Sequence, residues 1–160
     1  MFATLLIVVI VIQAGIIARL LWDTTYHCWK RELLMLLQPA LTILGYNFVF
    51  ADLDKFGQVN DRVGYEQANQ MVRSSLRRFS RNGDLALVFR YFSGDEFLIA
   101  VHGNRQAAHK VAGRMQAAFQ ANGLSATIGI SYAAEQAIHL VQQAKPKNGP
   151  RPLMGKILEA

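Results

Sequence analysis

The sequence predicts an α+β domain behind an apolar N-terminal helix. Three observations carry that reading. Residues 2 to 18 contain no charge. Beyond them, stretches of helical apolar spacing alternate with short apolar runs of strand length, in the order strand, helix, strand, strand, helix, strand. The 160 residues, 52% of them apolar, suffice for one real core and leave no room for a second domain.

From Phe2 to Ala18 the only polar side chains are those of Thr4 and Gln13. Continued across Arg19 to Trp22 the segment reaches about 20 residues, the length of a bilayer-crossing helix. Arg19 can extend its charge toward head groups, Trp22 and Trp29 suit an interface, and Lys30 and Arg31 add positive charge just beyond. The expectation is a single-pass transmembrane anchor over 1–22, in an inner or plasma membrane, with the C-terminal domain cytoplasmic. A packed or dimer-forming N-terminal helix is the other reading. No positive charge precedes the apolar run and no small-residue cleavage site follows it, which argues against a cleaved signal peptide. The single cysteine, Cys28, has no internal disulfide partner, agrees with a reducing compartment, and reads most simply as a small apolar filler.

Residues 23–45 form a helical linker and entrance segment, with a helix expected from about Trp29 that kinks or restarts at Pro39. Tyr46 to Leu53 is a central buried strand, since Phe48, Val49, Phe50 and Ala51 run without alternation before Asp52 and Asp54. From Tyr65 to Arg81, Ala68, Met71, Val72, Leu76 and Phe79 share one helical face while Arg73, Arg77 and Arg78 share the wetter one; Asn82-Gly83 ends the helix. Leu85–Tyr91 and Glu96–Val101 form a hairpin that presents Phe92-Ser93-Gly94-Asp95 at its mouth. Arg105–Asn122 is helical through Ala108, Val111, Ala112, Met115, Ala118 and Phe119; a strand over Leu124–Ile130 and a helix over Ala133–Ala144 follow. The core therefore covers 46–152, ending in a basic irregular stretch from Lys145 to Pro152, with 153–160 a C-terminal tail.

That order is the ferredoxin-like split βαβ pattern. It predicts a mainly antiparallel four-stranded sheet with helices on one face and the first and third strands as central neighbours. Asp52, at the end of the first strand, and Asp95, in the turn before the third, then converge although far apart in sequence. Paired carboxylates suit a hard divalent cation such as magnesium, which keeps waters or substrate phosphates in its shell. Two such ions would activate a hydroxyl and neutralise a triphosphate, so nucleotidyl transfer follows as a candidate chemistry. The plainer reading makes Asp52 or Asp54 a cap and Glu96 an exposed hairpin residue. His27, His102, His109 and His139 lack zinc-site spacing, and Tyr91, Phe92, Phe97, Met71 and Met115 read as packing. The net charge of +6 suits phosphate-rich ligands or an anionic surface; without an aromatic-basic motif or basic tail, nucleic acid is disfavoured.

Asp52-Leu53-Asp54-Lys55-Phe56, Asn60-Asp61, Gly64 and Ser93-Gly94-Asp95-Glu96-Phe97 resemble, in order, the signatures of GGDEF-domain diguanylate cyclases, over roughly residues 23–151. The resemblance implies condensation of two GTP molecules into cyclic di-GMP at a homodimer interface, assisted by Mg2+ or Mn2+. It implies catalytic roles for Asp52, Asp95 and Glu96, and metal ligation by Asp52, Asp95, Glu96 and the Leu53 carbonyl. It also implies nucleotide contacts from Leu53, Phe56, Asn60, Asn69, Ser93, Gly94 and Lys145, with Asn60 and Asn69 at the guanine edge. The chain departs from the family pattern at Ser93, where the first glycine is usual, at Asn69, where aspartate is usual, and at Gly57, where a phosphate-binding lysine is usual. Asp23 and Arg31 match only the ends of the family's entrance motif, Arg81-Asn82-Gly83-Asp84 lies farther upstream than its product-inhibition motif, and Gly149-Pro150-Arg151 is displaced. Two readings stay open: an active cyclase, or an inactive nucleotide-binding or regulatory module, with altered purine selectivity as a variant. Control is expected from a separate sensor protein or from expression level alone.

Overall fold

Why the sheet forms is clearest in its middle strand. The computed structural model describes residues 2–80, 86–145 and 155–160. Strand β3 (Asn47–Leu53) is apolar on both sides because both sides are covered: Val49, Ala51 and Leu53 enter one core, and Phe48 and Phe50 enter the other. Fully burying a side chain of that size is worth about 1.5–3 kcal/mol, so a one-residue slip in register would forfeit contacts on both faces. The α1 helix (Phe2–Leu20), β1 (Trp22–Asp23), β2 (Cys28–Lys30) and α2 (Arg31–Ile43) precede it. After it come α3 (Phe56–Val63), α4 (Tyr65–Ser80), β4 (Ala86–Arg90), β5 (Glu96–Val101), α5 (Arg105–Gln120), β6 (Ala126–Ser131), α6 (Ala134–Ala144) and β7 (Ile157–Glu159).

Among the described residues the sheet has seven strands in the order β1-β2-β4-β5-β3-β6-β7. Its centre is antiparallel, β3 lying between β5 and β6. The expectation of a four-stranded, mainly antiparallel sheet is corrected to a mixed one, since β2 runs parallel to β4 and β7 parallel to β6. Both added edges lay in segments read otherwise. Cys28–Lys30 is extended rather than helical because Trp29 pairs with Phe89 and meets the Trp22 ring edge-on at 4.9 Å. The tail is not free, because Ile157 pairs with Ile128. The helices also occupy both faces, α4 and α5 over one core and α2 and α6 over the other. The α2 helix runs through Pro39 without ending, and the Thr42 hydroxyl donates to the Gln38 carbonyl 2.9 Å away.

The transmembrane anchor is also corrected. The apolar count that reached bilayer length required Trp22, but α1 ends at Leu20 and Trp22 is in β1. No helix among the described residues is long and apolar enough to cross a membrane. The membrane contact, the single-pass topology and the location inferred from them fall with it. The side chains of α1 from Leu5 to Leu20 are exposed.

One close approach fixes α6. A Cβ on Gly129 of β6 would stand 2.2 Å from the Ala137 carbonyl oxygen, so only glycine lets the helix lie so near the sheet. Ala137, Val141 and Ala144 pack beneath it, and the helix ends over the end of β3.

Candidate functional site

Strand alternation directs Asp52 to the face of Phe48 and Phe50, the face α6 covers. Its register partners are Glu96 on β5 and Thr127 on β6. The Leu53 amide donates to the Asp95 carbonyl at 2.9 Å, tying the hairpin turn to the end of β3. The chain then reverses through Lys55, at φ 53°, into α3. Asp54 is spent on structure: it is buried, accepts from Ser125 Oγ at 2.6 Å and Thr127 Oγ1 at 2.8 Å, and its amide donates to the Ser125 carbonyl at 2.7 Å.

Lys145 follows the last residue of α6 and turns its side chain into this strand end. Its Nζ lies 2.6 Å from Asp52 Oδ1, 3.2 Å from Asp54 Oδ1, 3.1 Å from the Leu53 carbonyl and 3.3 Å from the Asp52 carbonyl. Burial nevertheless outweighs it. Burial, with the Asp95 and Asp54 charges, pushes the Asp52 carboxyl up despite the Lys145 hydrogen bond and charge. Burial and the charges of Asp52 and Asp95 push Glu96 up as well, against the Ser93 amide and Lys145.

Asp52, Leu53, Phe56, Asp95, Glu96 and Lys145 line one cavity of about 610 Å³, along with Lys55, Gly57 and Gln142. A second, of about 470 Å³, is lined by Asn60, Asn69, Tyr26 and Gly94 and shares Phe56, Gly57 and Asp95 with the first. The two therefore adjoin across those three residues, one charged and the other lined by amides. Ser93 lines neither; its hydroxyl donates to the Asp95 carboxylate. Gly57 has open space around the position of a Cβ, and Lys55 stands in the same cavity. Arg81-Asn82-Gly83-Asp84 and Gly149-Pro150-Arg151 lie outside the described residues.

At the amide end the Tyr26 hydroxyl donates to Asn69 Oδ1 at 2.7 Å. Burial raises the Tyr26 phenol, so it keeps the proton it donates. The same oxygen lies 2.8 Å from where a Cβ on Gly94 would stand, so the signature turn requires glycine there. Asn60 Oδ1 is buried with no hydrogen-bond partner, an acceptor awaiting a donor.

Sequence reasoning missed Tyr26, and it missed the clamp that holds Tyr26 in place. Arg90 pairs with Asp23 at 2.8 Å, lies 5.2 Å from the centre of the Tyr26 ring, and donates through Nε to the Ser93 carbonyl at 3.2 Å. Asp23 also accepts from the Tyr26 amide at 2.8 Å. Burial would raise Asp23, but the Arg90 hydrogen bond, the Tyr26 amide and the Arg90 charge outweigh it and hold the carboxyl below its usual range. The opposite charges of Asp23 and Arg90 were visible in the sequence; their meeting follows from the β2–β4 pairing, which no local pattern announces. Cys28 in the same segment is buried, and burial pushes its thiol up to about 12, as befits an inert filler.

Among the described residues no three of His, Cys, Asp or Glu gather into a group that would hold a metal. What gathers is a cradle of two carboxylates and two carbonyls, already closed on a cation, the Lys145 ammonium. Those donors fit magnesium or manganese in kind, and phosphate and water oxygens would complete the shell.

The family model for the GGDEF domain of diguanylate cyclases matches residues 28–150. A relative from Shewanella oneidensis, diguanylate cyclase DgcS, is 30% identical over 61% of this chain; the match spans about a third, 36%, of that protein. Among solved structures, diguanylate cyclase SiaD of Pseudomonas aeruginosa, in complex with its activator SiaC, superimposes with a TM-score of 0.78 at 18% identity, covering 99% of this chain and 68% of that one. The coiled coil and GGDEF domain of DgcB from Caulobacter crescentus, in complex with c-di-GMP, gives 0.75 at 12% identity, covering 99% and 95%. At these identities the structural likeness speaks for the fold.

Proposed function

The chain belongs to the GGDEF-domain family of diguanylate cyclases, and from that premise we propose that it condenses two GTP molecules into cyclic di-GMP where two copies of the chain face each other. The observation that carries this reading is the pair of adjoining cavities: carboxylates and a lysine in one, a partnerless buried amide oxygen in the other, and Phe56, Gly57 and Asp95 common to both. A nucleoside triphosphate has the same two ends. The site described holds one nucleotide and the product joins two, so the reaction calls for two chains.

In the proposed reaction the amide end orients the base, and Lys145 and Lys55 meet the phosphates. Asp52, Asp95, Glu96 and the Leu53 carbonyl line one cavity without gathering into a ready-made metal group; with phosphate oxygens to complete the shell they would hold Mg2+ or Mn2+, which supplies charge neutralisation and acidifies the attacking hydroxyl. The 3′ oxygen of one nucleotide bonds to the α-phosphorus of the other, and the bond to pyrophosphate breaks. Glu96, where it is not bound to the metal, accepts the hydroxyl proton. Repeating the step with roles exchanged closes the ring.

One observation favours the altered-selectivity variant. Tyr26 occupies the Asn69 oxygen, leaving the Asn69 nitrogen as a donor beside the Asn60 acceptor. Guanine offers two adjacent donors on its N1–N2 edge, whereas adenine offers a donor next to an acceptor, which matches that pair better. Incubating the protein with Mn2+ and GTP, ATP or both, then identifying products by mass spectrometry, decides the matter. Cyclic di-GMP alone supports the cyclase; an adenine-containing cyclic dinucleotide supports altered selectivity. A folded protein that binds nucleotide and yields neither would leave the binding module as the function.

A further inference from the structure

The proposed function gives the Asp52 carboxylate and the Leu53 carbonyl to a divalent cation. Both are already bound to Lys145. Its side chain is only 7% exposed, and of the four oxygens within 3.3 Å of Nζ three accept hydrogen bonds, one for each proton, while Asp54 adds its charge at 3.2 Å. Two of those oxygens, Asp52 Oδ1 at 2.6 Å and the Leu53 carbonyl at 3.1 Å, belong to the set proposed for the divalent ion, so the ammonium stands against the ligands that ion would use. A divalent ion and the ammonium, like charges drawing on the same two oxygens, would repel each other there.

We propose that Lys145 is the resident cation of the nucleotide-free site: it closes the oxygen cradle at the end of β3, and a divalent ion enters only as a triphosphate draws the ammonium away. The inference rests on the nucleotide-site reading and deepens it. Without a cation there, Asp52 and Asp54 would face each other across the cradle. The flexible four-carbon stem lets the charge move from cradle to phosphate without displacing α6, whose position Gly129 fixes. Metal and nucleotide then bind as a unit. By linkage, whatever factor nucleotide adds to metal affinity, metal adds to nucleotide affinity.

The test is a Mn2+ titration of the full chain followed by electron paramagnetic resonance, with and without a non-hydrolysable GTP analogue. The native chain binds Mn2+ weakly alone and about tenfold or more tighter with the analogue, within the usual range of coupling. Lys145→Gln reverses the first term: Mn2+ binds about tenfold tighter without nucleotide, the gain on adding the analogue shrinks, and affinity for the triphosphate falls. A lysine serving only packing would give weaker or unchanged Mn2+ binding. Because Lys145→Gln leaves two carboxylates without their cation, the double variant with Asp54→Asn restores the balance if the single one folds poorly, and carries the same expectation. Unchanged Mn2+ affinity in a folded variant that binds the analogue overturns the proposal alone; a native chain that binds no nucleotide overturns the site reading and the proposal together.

Discussion

The entrance segment and the end of β3 each set an aspartate against one cation, and the two carboxyls move in opposite directions. Asp23, 6% exposed, lies against Arg90 and the Tyr26 amide, with no acid among the groups that shift it, and is held low. Asp52 lies against Lys145 at a shorter distance, yet burial and the charges of Asp95 and Asp54 hold it high. A short ion pair is therefore no measure of electrostatic satisfaction. Asp23 has what it needs and works as a clamp. Asp52 is held up chiefly by a burial that its ammonium does not offset, with Asp95 and Asp54 adding to it, and a buried carboxylate among other acids gains by taking up further positive charge.

The sharpest way to break this contrast is to neutralise each aspartate in turn. Asp52→Asn is expected to lower product formation by about 10³-fold or more, as loss of a group acting on developing charge does. The same change is expected to alter stability by less than about 1 kcal/mol, because it relieves Asp54 and Asp95 while costing Lys145 one partner. Asp23→Asn is expected to do the reverse, lowering stability by about 2 kcal/mol in urea melts. That is below the usual cost of breaking a buried pair because the Arg90 side chain is about a third exposed. Were Asp52→Asn the more destabilising of the two, the division into clamp and site would be wrong.

Acidity separates the two regions with less force. A carboxyl held low in the folded state favours folding above the unfolded value, near 3.9. Asp23's contribution is therefore present above that pH and lost as pH falls through its lowered value. For Asp52 and Glu96, held high, the folded state prefers the proton. Their contribution is present at low pH and lost as pH rises from the ordinary carboxylate range through their raised values. Thermal melts of the metal-free protein should show Asp23→Asn flattening the acid limb and Asp52→Asn flattening the limb above it. Parallel profiles for both variants would refute the opposite shifts.

What could be read in advance divides along similar lines. The paired β3 and β5 strands and the four main helices were legible because their apolar periods are local and their burial is two-sided. Asp52, Asp95 and Glu96 were legible as neighbours because alternation and topology bring one strand end to one turn. The edges were not legible: Cys28–Lys30 and Ile157–Glu159 are too short to show a period, and each becomes a strand only through a distant partner. Tyr26 was lost with its edge. The N-terminal helix misled for a different reason, since hydropathy counts residues whether or not they stay helical, and the count ran into β1.

The smallest expected effect probes the amide end, where no charge is involved. Tyr26→Phe removes the hydroxyl that occupies Asn69 Oδ1 and frees that oxygen to accept from a base. One hydrogen bond of this kind is worth about 0.5–1.5 kcal/mol, so the ratio of guanine to adenine nucleotide affinity should rise about two- to tenfold. Calorimetric titration with non-hydrolysable GTP and ATP analogues reads that ratio directly, and it does not depend on turnover. Stability offers an internal control. The ring remains against Phe97, 5.5 Å away and edge-on, and beneath Arg90, so the melt should barely move. The space vacated adds a second readout: a methyl at Gly94, now 2.8 Å from the Tyr26 oxygen, should cost stability in the native background and much less beside Phe. If Gly94→Ala becomes tolerable while the affinity ratio stays fixed, Tyr26 shapes the turn and leaves base choice to Asn60.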